Sequence, residues 1–571
     1  MRTVELSNPR PWLRHYPKEV AASCSYPNKS IPDLLLDSAS KYGDRPAIHF
    51  LGKTLTYTKL LEDVRRMADA LRRLGVVKGD RVAIMLPNCP QAVIAYYGAL
   101  LTGAIVVQTN PIYVERELQH QLADSGASIL ITLDLLYPRV SRVRGEKPEE
   151  GPVPALKNVI VTSIKDGLPF PKNILYPIKQ RRDGFRPDIP YGKLGIHSYS
   201  RLMAEAKPDP TIHSVIDPAS DLAQLQYTGG TTGIAKGVML THRNLVANMV
   251  QSSAWCYRVR EGKERFLAAL PLFHVFGLTV LMNLSVYKAG ELILLPRFDI
   301  VQVLETIRSK KATIFPGAPT MYVALINHPQ AAKLDLSSIE IAISGSSALP
   351  LEVQQRFETI TGGRLIEGYG LTEASPVTHV NPVWERRKNG TIGLPLPDTD
   401  SKIVNPETGE TVAIGEVGEL AVQGPQVMKG YWNRPEETAK VLKDGWLYTG
   451  DLATMDDEGY FAIVDRIKDV IIAGGFNIYP REVEEVLYEH PGVREAAIIG
   501  IKDDYRGESV KAYIVPKDGV QLTEEELNRW CRERLASFKV PHVYEFRTDL
   551  PKSIIGKVLK RKLHEELENQ S

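Results

Sequence analysis

A run of small and hydroxylated residues suited to holding phosphate occupies residues 227–237 and reads Tyr-Thr-Gly-Gly-Thr-Thr-Gly-Ile-Ala-Lys-Gly. Glycines let backbone amides approach a polyphosphate, and threonine hydroxyls add hydrogen-bond donors. Lys236 supplies a positive charge. The residues predicted to contact phosphate are Thr228, Gly229, Gly230, Thr231, Thr232, Gly233 and Lys236. The chemistry to expect is the binding of a polyphosphate.

Two other interpretations of this run compete with that one. A Gly/Thr cluster taken alone is more often a flexible surface loop. A P-loop is excluded because Lys236 follows Ala235 and precedes Gly237, so the Gly-Lys-Ser/Thr ending is missing. The run therefore needs support from the rest of the chain.

Five further motifs follow the run and supply that support. Together with it they resemble, in order and spacing, the adenylate-forming superfamily of acyl-CoA synthetases, nonribosomal adenylation domains and luciferases. The resemblance covers roughly residues 31–563. The five motifs are Pro271-Leu-Phe-His-Val-Phe-Gly277, Glu367-Gly-Tyr-Gly-Leu-Thr-Glu373, Tyr448-Thr-Gly-Asp451, Asp465-Arg-Ile-Lys-Asp469 and Pro551-Lys-Ser-Ile-Ile-Gly-Lys557.

The resemblance implies a two-step reaction with ATP, Mg²⁺ and coenzyme A. A carboxylate attacks the α-phosphorus of ATP to give acyl-AMP and pyrophosphate, and a thiol then attacks the acyl carbonyl and expels AMP. Because the first step brings one anion to another, cations and amide donors must neutralise the developing charge.

The resemblance makes Glu373 the magnesium ligand and a catalytic residue, since a hard cation prefers oxygen ligands. Thr372 beside it would contact a phosphate. Without the family context, a Thr-Glu pair is far more often the start of a helix than a metal site.

The resemblance implies that three other residues bind the nucleoside half of ATP. Tyr369, between Gly368 and Gly370, would stack on adenine, although a tyrosine there is otherwise typical of a core. Asp451 would accept hydrogen bonds from the ribose hydroxyls, its alternative being an ordinary turn aspartate. Arg466 would reach the ribose or the phosphates.

Four residues are assigned by the resemblance to the acyl and thiol steps. His274 would lie against the acyl carboxylate, with a core histidine as the alternative. Lys557 would bridge the carboxylate and α-phosphate as a compact point charge. Lys468 takes the place of the hinge, about which the small domain would rotate between the half-reactions. Gly475 would leave room for the pantetheine path to CoA.

The residues near His274 narrow the range of possible acid substrates. Residues 273–280 carry no Asp or Glu that would hold an amino-acid ammonium group. The segments 424–432 and 444–451 resemble fatty-acyl-CoA synthetases, which favours a long-chain fatty acid as substrate. Medium-chain and aryl acids remain alternatives.

A function of a different class is a membrane-associated protein for fatty-acid uptake or binding. Its support is the cluster of basic and apolar side chains in residues 172–182, which suits an anionic bilayer surface. A solvated basic loop is an equally good interpretation, since Pro177 should break a helix there. Glu373 and Lys557 favour the enzyme, because a binding protein would not need them.

The elements that must position these residues follow an α/β pattern. Strands are expected at 81–86, 127–132, 291–295, 312–315 and 340–344, with helical stretches between them. One helix should start at Asp299 and bury Val301, Leu304 and Ile307. The apolar run 92–107 should be a buried helix leading into a strand.

The chain is expected to divide into two domains, 1–465 and 466–571. The first would be a large domain that binds ATP and the acyl group, made of two α/β layered subdomains and a small β-rich subdomain near 393–430. The second would be a small, mobile α+β domain carrying Lys557, with a capping box at Thr523 and Glu526. Residues 147–208 look like an irregular surface insertion.

Composition limits the remaining possibilities. With 70 basic and 68 acidic residues the chain has no global field that would favour nucleic acid. Its four cysteines are widely spaced and indicate reduced thiols in a cytoplasmic protein. We expect neither a signal peptide nor a membrane-spanning helix. Peripheral contact with the inner face of the membrane and formation of a homodimer are two further expectations.

Overall fold

The computed structural model describes residues 10–145, 149–185, 188–228, 235–473, 476–503, 506–553 and 556–569. The strands of these residues, in chain order, are β1 (Pro46–Phe50), β2 (Lys53–Thr56), β3 (Arg81–Met85), β4 (Ile105–Gln108), β5 (Ile129–Leu133), β6 (Asn158–Thr162), β7 (Ile196–Ser198), β8 (Leu222–Thr228), β9 (Lys236–Thr241), β10 (Arg265–Ala268), β11 (Glu291–Leu294), β12 (Ile314–Gly317), β13 (Ile341–Ser344), β14 (Arg364–Gly370), β15 (Val377–Val380), β16 (Leu394–Pro395), β17 (Asp400–Val404), β18 (Gly418–Gln423), β19 (Gly430–Tyr431), β20 (Leu442–Lys443), β21 (Trp446–Met455), β22 (Phe461–Arg466), β23 (Ile471–Ala473), β24 (Phe476–Ile478), β25 (Val493–Asp503), β26 (Gly507–Pro516) and β27 (Val543–Phe546).

The α-helices lie between these strands, and a π-helical segment, Leu278–Asn283, separates two of them. In chain order they are α1 (Ile31–Tyr42), α2 (Tyr57–Arg73), α3 (Pro90–Leu101), α4 (Glu115–Ser125), α5 (Tyr137–Arg144), α6 (Lys172–Arg182), α7 (Tyr199–Glu205), α8 (His242–Trp255), α9 (Val275–Gly277), α10 (Leu284–Tyr287), α11 (Ile300–Lys310), α12 (Pro319–Asn327), α13 (Leu351–Thr361), α14 (Pro435–Val441), α15 (Pro480–Tyr488), α16 (Glu524–Arg532) and α17 (Lys560–Glu568).

Two large, mainly parallel sheets form the body of the molecule. One has nine strands in the order β16-β15-β14-β13-β12-β10-β11-β1-β2, and the other has eight in the order β19-β9-β8-β4-β3-β5-β6-β7. Helices cover both, and α3 is buried along its whole length because its residues are almost all apolar. The predicted buried helix leading into a strand is therefore confirmed by α3 and β4.

A smaller antiparallel sheet of five strands comprises β17, β18, β20, β21 and β22. The β-rich subdomain predicted near 393–430 is present but continues to Arg466. The last sheet, of β23 to β27, carries α15, α16 and α17 and has its own apolar core. The predicted α/β class, with a small α+β domain at the C-terminus, is confirmed.

Strand β22 ends at Arg466 and β23 begins at Ile471, with a short 3₁₀ turn, Ile467–Asp469, between them. A domain boundary between residues 465 and 466 stays a prediction. Thr523 caps α16 by accepting from the Glu526 N–H. The Glu526 carboxylate lies instead 3.4 Å from His490, so the expected box is only half formed.

Two other local predictions need correction. Asp299 does cap α11, but the helix buries Val303, Leu304 and Ile307, while Val301 is 53% exposed. The described part of residues 147–208 is not irregular throughout, since it contributes β6 and β7 to the eight-stranded sheet and also contains α6 and α7. Helix α6 continues through Pro177, which removes one backbone donor without ending the helix.

Candidate active site

The predicted phosphate loop connects two antiparallel strands. Thr228 ends β8 and pairs with Lys236, the first residue of β9. Gly229, Gly230, Thr231, Thr232 and Gly233 lie outside the described residues. The Lys236 ammonium group forms an ion pair with Glu437 and lies 5.2 Å from the ring centre of Tyr431. The Lys236 ammonium group is therefore held by two side chains, one from β19 and one from α14.

Glu373 lies in a short 3₁₀ turn, Thr372–Ala374, that follows β14. The phenol of Tyr431 donates a hydrogen bond of 2.8 Å to Glu373 Oε1, and the Met428 N–H donates to the Glu373 carbonyl at 2.8 Å. Burial raises the pKa of the Glu373 carboxyl group, and the Tyr431 hydroxyl opposes that rise. A cation would therefore be attracted to a poorly solvated carboxylate here.

Tyr369, Asp451 and Arg466 form one hydrogen-bonded group. Tyr369 Oη donates to Asp451 Oδ2 at 2.5 Å, and Arg466 Nε lies 3.2 Å from Asp451 Oδ1. Asp451 and Arg466 are direct cross-strand partners of β21 and β22. The sheet register thus sets the spacing of the carboxylate and the guanidinium.

The glycines that flank Tyr369 have different environments. Gly368 and Gly370 both lie in β14 with Tyr369. A Cβ atom at Gly370 would collide with the carbonyl of Pro376, whereas one at Gly368 would meet only ordinary contacts. Gly370 is therefore required for β14 to approach the following segment closely.

Lys557 reaches this group from the C-terminal domain. Burial, with the neighbouring Arg466 charge, lowers the pKa of Lys557 to about 8, and Asp451 opposes this effect. Burial and the Lys557 charge lower the pKa of His274 to about 4, so its imidazole is neutral near pH 7. His274 Nδ1 accepts a hydrogen bond of 3.3 Å from the Phe276 N–H. The Lys557 charge is therefore within electrostatic range of both His274 and Arg466.

Gly556, directly before Lys557, packs on Thr320 of the large domain. A side chain at Gly556, whose φ is +79°, would collide with the Thr320 side chain. The glycine therefore permits both the left-handed turn and the close approach. Lys468 lies in the Ile467–Asp469 turn with its side chain exposed, and Gly475 is outside the described residues.

Comparison with known proteins identifies the family. Residues 35–432 match the AMP-binding enzyme family, and residues 482–557 match the AMP-binding enzyme C-terminal domain. The chain belongs to the AMP-binding enzyme family. The resemblance inferred from the six motifs is confirmed.

Relatives of this AMP-binding enzyme align over nearly its whole length. A long-chain-fatty-acid–CoA ligase of Bacillus subtilis is 52% identical, with 98% of this chain and 99% of the relative covered. One of Escherichia coli O157:H7 is 41% identical, with 97% and 98% covered. The crystal structure of ATP-bound MatB from Rhodopseudomonas palustris is 30% identical, with a TM-score of 0.82 and 94% and 99% covered.

The oxygen donors present at this site are compatible with Mg²⁺. Among the described residues, no three His, Cys, Asp or Glu side chains cluster as a ready-made metal site. Mg²⁺ keeps several waters and usually binds one or two carboxylates together with substrate phosphates. The half-buried Glu373 carboxylate is therefore sufficient on the protein side.

Tyr431 and Glu437 contact the predicted site residues but were missed by sequence reasoning. Tyr431 is 58 positions from Glu373, and no motif spacing links the two. The signal available was the segment 424–432, which resembles the family pattern, contains Tyr431 and ends shortly before Glu437. In the part of the chain that the structure describes, no helix combines the length and apolarity needed to cross a bilayer.

Proposed function

We propose that this AMP-binding enzyme activates long-chain fatty acids to acyl-CoA through an acyl-AMP intermediate, releasing AMP and pyrophosphate. The observation that carries the proposal is the position of Lys557, which follows Gly556 where it packs on Thr320 and whose charge is within electrostatic range of His274, Arg466 and Asp451. Relatives named long-chain-fatty-acid–CoA ligases support the choice of acid. Medium-chain and aryl acids are the alternatives within the family.

In the first half-reaction the protein must bring two anions together. Tyr369 would offer its ring to adenine, and Asp451, which contacts Tyr369 and Arg466, would accept hydrogen bonds from the ribose hydroxyls. Lys557 neutralises the charge that develops as the carboxylate approaches the α-phosphorus. His274 is neutral, so it adds no competing positive charge next to Lys557.

The phosphates would be held on the opposite side of this group by Thr228, Lys236, Thr372 and the glycine-rich loop. Glu373 would hold Mg²⁺, which when bound offsets the negative charge of the leaving pyrophosphate. Lys236 would exchange its partner Glu437 for phosphate oxygens. Roles for Gly229, Gly230, Thr231, Thr232 and Gly233 follow from the motif alone.

In the second half-reaction CoA would reach the acyl carbonyl along a path past Gly475. Lys557 would have to leave for this to happen, and Lys468 lies in the turn where the chain could rotate. The exposed position of Lys468 suits a hinge, because little packing is lost when its backbone angles change.

The test is ATP–pyrophosphate exchange across acids from acetate to oleate, with benzoate and coumarate included. Rates should be highest for acids of about twelve to eighteen carbons, since each buried methylene adds about 0.8 kcal/mol. Lys557→Ala should slow this step at least about a hundredfold yet make acyl-CoA normally from supplied acyl-AMP. A preference for coumarate or benzoate would contradict the fatty-acid proposal, and equal slowing of both steps would contradict the role of Lys557.

We also propose peripheral contact with an anionic membrane through helix α6. None of its residues is buried, and three apolar side chains on it, Ile174, Leu175 and Ile178, are 58%, 56% and 61% exposed. Phe170, just before the helix, is 78% exposed. Basic residues share the helix, which suits an anionic bilayer. They are Lys172, Lys179, Arg181 and Arg182.

Sedimentation with vesicles tests this contact. Vesicles containing anionic lipid should bind the protein more than neutral ones, and salt should weaken the binding. A variant with Lys179, Arg181 and Arg182 changed to Ser should bind less while retaining exchange activity. Equal binding by that variant would contradict the proposal. A protein used only for fatty-acid uptake would bind acid without ATP-dependent exchange, so the two assays separate the two functions.

A further inference from the structure

One buried tyrosine contacts both charged residues expected at the phosphate end of ATP. Tyr431 is 9% exposed; its hydroxyl donates to Glu373 Oε1 at 2.8 Å, and its ring centre lies 5.2 Å from Lys236 Nζ. The hydroxyl and the ring of one side chain therefore meet a carboxylate and an ammonium group.

The backbone around Tyr431 is fixed on several sides. Strand β19 pairs with β9, placing Tyr431 opposite Val238 and two residues along from Lys236. The Tyr431 N–H donates to Thr438 Oγ1 at 2.9 Å, and the next N–H, of Trp432, donates to the Gly237 carbonyl at 2.7 Å. The phosphate-loop hairpin thus has a third strand that delivers this ring.

We propose that Tyr431 is a positioning residue that orients the metal-binding carboxylate of Glu373 and the phosphate-binding ammonium group of Lys236. The proposal rests on the proposed function. A phenol donor fixes the orientation of a carboxylate, and an aromatic face attracts a cation without neutralising its charge. Lys236 forms its ion pair with Glu437 and not with Glu373, so the Glu373 carboxylate stays available to the metal.

Two substitutions at Tyr431 separate the two contacts. Tyr431→Phe keeps the ring and its packing but removes the donor to Glu373. Tyr431→Leu removes the donor and the aromatic face together. If Tyr431 only filled space, Tyr431→Phe would leave the nucleotide affinity almost unchanged both with and without Mg²⁺. The proposal instead requires that Tyr431→Phe reduce the effect of Mg²⁺ on nucleotide affinity and leave the affinity for the metal-free nucleotide unchanged.

The measurement is calorimetric binding of a non-hydrolysable ATP analogue to the full chain, with and without MgCl₂. For Tyr431→Phe, the tightening produced by Mg²⁺ should shrink by about fivefold or more, since a hydrogen bond to a charged group is lost. Its metal-free affinity should stay within about twofold of the parent. For Tyr431→Leu, the metal-free affinity should also fall by about two- to fivefold, as expected for a lost cation–π contact.

Tyr57→Phe is the matched control, because Tyr57 is fully buried and its hydroxyl donates to the carbonyl oxygens of Ser285 and Gly290. It should leave both affinities unchanged, and circular dichroism should confirm that all variants are folded. Full Mg²⁺ tightening in Tyr431→Phe, or an equal loss in Tyr57→Phe, would overturn the proposal. If the parent protein binds the analogue but forms acyl-AMP from none of the acids, the proposed function fails while the binding pattern still decides the role of Tyr431.

Discussion

The pKa of Lys557 predicts how the adenylation step depends on pH. Its folded value is about 8, lowered from 10.5 by burial and by the neighbouring Arg466. Only the ammonium form can neutralise the reacting charges, so activity should be retained below this pKa and lost as pH rises through it. About one tenth of the free enzyme would carry the proton at pH 9 and about one hundredth at pH 10.

The assay is ATP–pyrophosphate exchange at limiting ATP, because kcat/KM then reports groups of the free enzyme. The value should fall about tenfold per pH unit above pH 8. The mixture contains no CoA, so thiol ionisation does not contribute. His274, whose pKa is about 4, is already neutral throughout this range and adds no second slope.

Lys557→Arg provides the decisive comparison, since a guanidinium stays charged to pH 10 and beyond. Its activity should be lower at pH 7, because the geometry differs, but should not fall between pH 8 and 10. Thioester formation from supplied acyl-AMP should show no loss in either protein. A parent profile that is flat to pH 10, or a fall of the same size in Lys557→Arg, would refute the assignment of this pKa to adenylation.

Three further substitutions test other parts of the site. Lys468→Pro should exchange pyrophosphate normally yet accumulate acyl-AMP in the presence of CoA, because a fixed φ hinders rotation; normal release of acyl-CoA would rule out Lys468 as the hinge. Glu437→Gln should lower the calorimetric Kd for ATP by about two- to fivefold, since Lys236 loses a competing partner; an unchanged Kd would show that this ion pair does not compete with phosphate. Asp451→Asn should raise the KM for ATP at least about tenfold and reduce discrimination against 2′-deoxy-ATP; unaltered discrimination would place the ribose elsewhere.

Short-range signals in the sequence predicted the elements that depend on local chemistry. The cap at Asp299 and the buried run that became α3 follow from residue types alone. The helix face was misjudged because Val303, rather than Val301, lies on the side of α11 that packs inward. One apolar position shifted by two residues moves about 200° around a helix, which sequence spacing alone did not resolve.

Long-range pairing explains what sequence reasoning missed. Strands β6 and β7 are short and separated by charged, proline-rich sequence. Their place in the sheet depends on the pairing of β5 with β6 and of β6 with β7, which local sequence does not encode. The contact between Tyr431 and Glu373 could not be predicted for the same reason, because it depends on where β19 joins the sheet. Motifs identify residues that resemble a family pattern, whereas such contacts depend on the register of strands far apart in sequence.

Two residues just before the proposed hinge at Lys468 have partners on opposite sides of it in the sequence. Arg466 pairs with its cross-strand partner Asp451 in β21, whereas the adjacent Asp465 accepts a hydrogen bond of 2.8 Å from the Arg481 N–H at the start of α15. Rotation about Lys468 would break the second contact and lift Gly556 from Thr320, but would leave the Asp451–Arg466 pair in place. The nucleotide-binding group would thus keep its geometry while Lys557 departs. The Asp465–Arg481 hydrogen bond that would break is polar and can be replaced by water, so its loss costs little free energy.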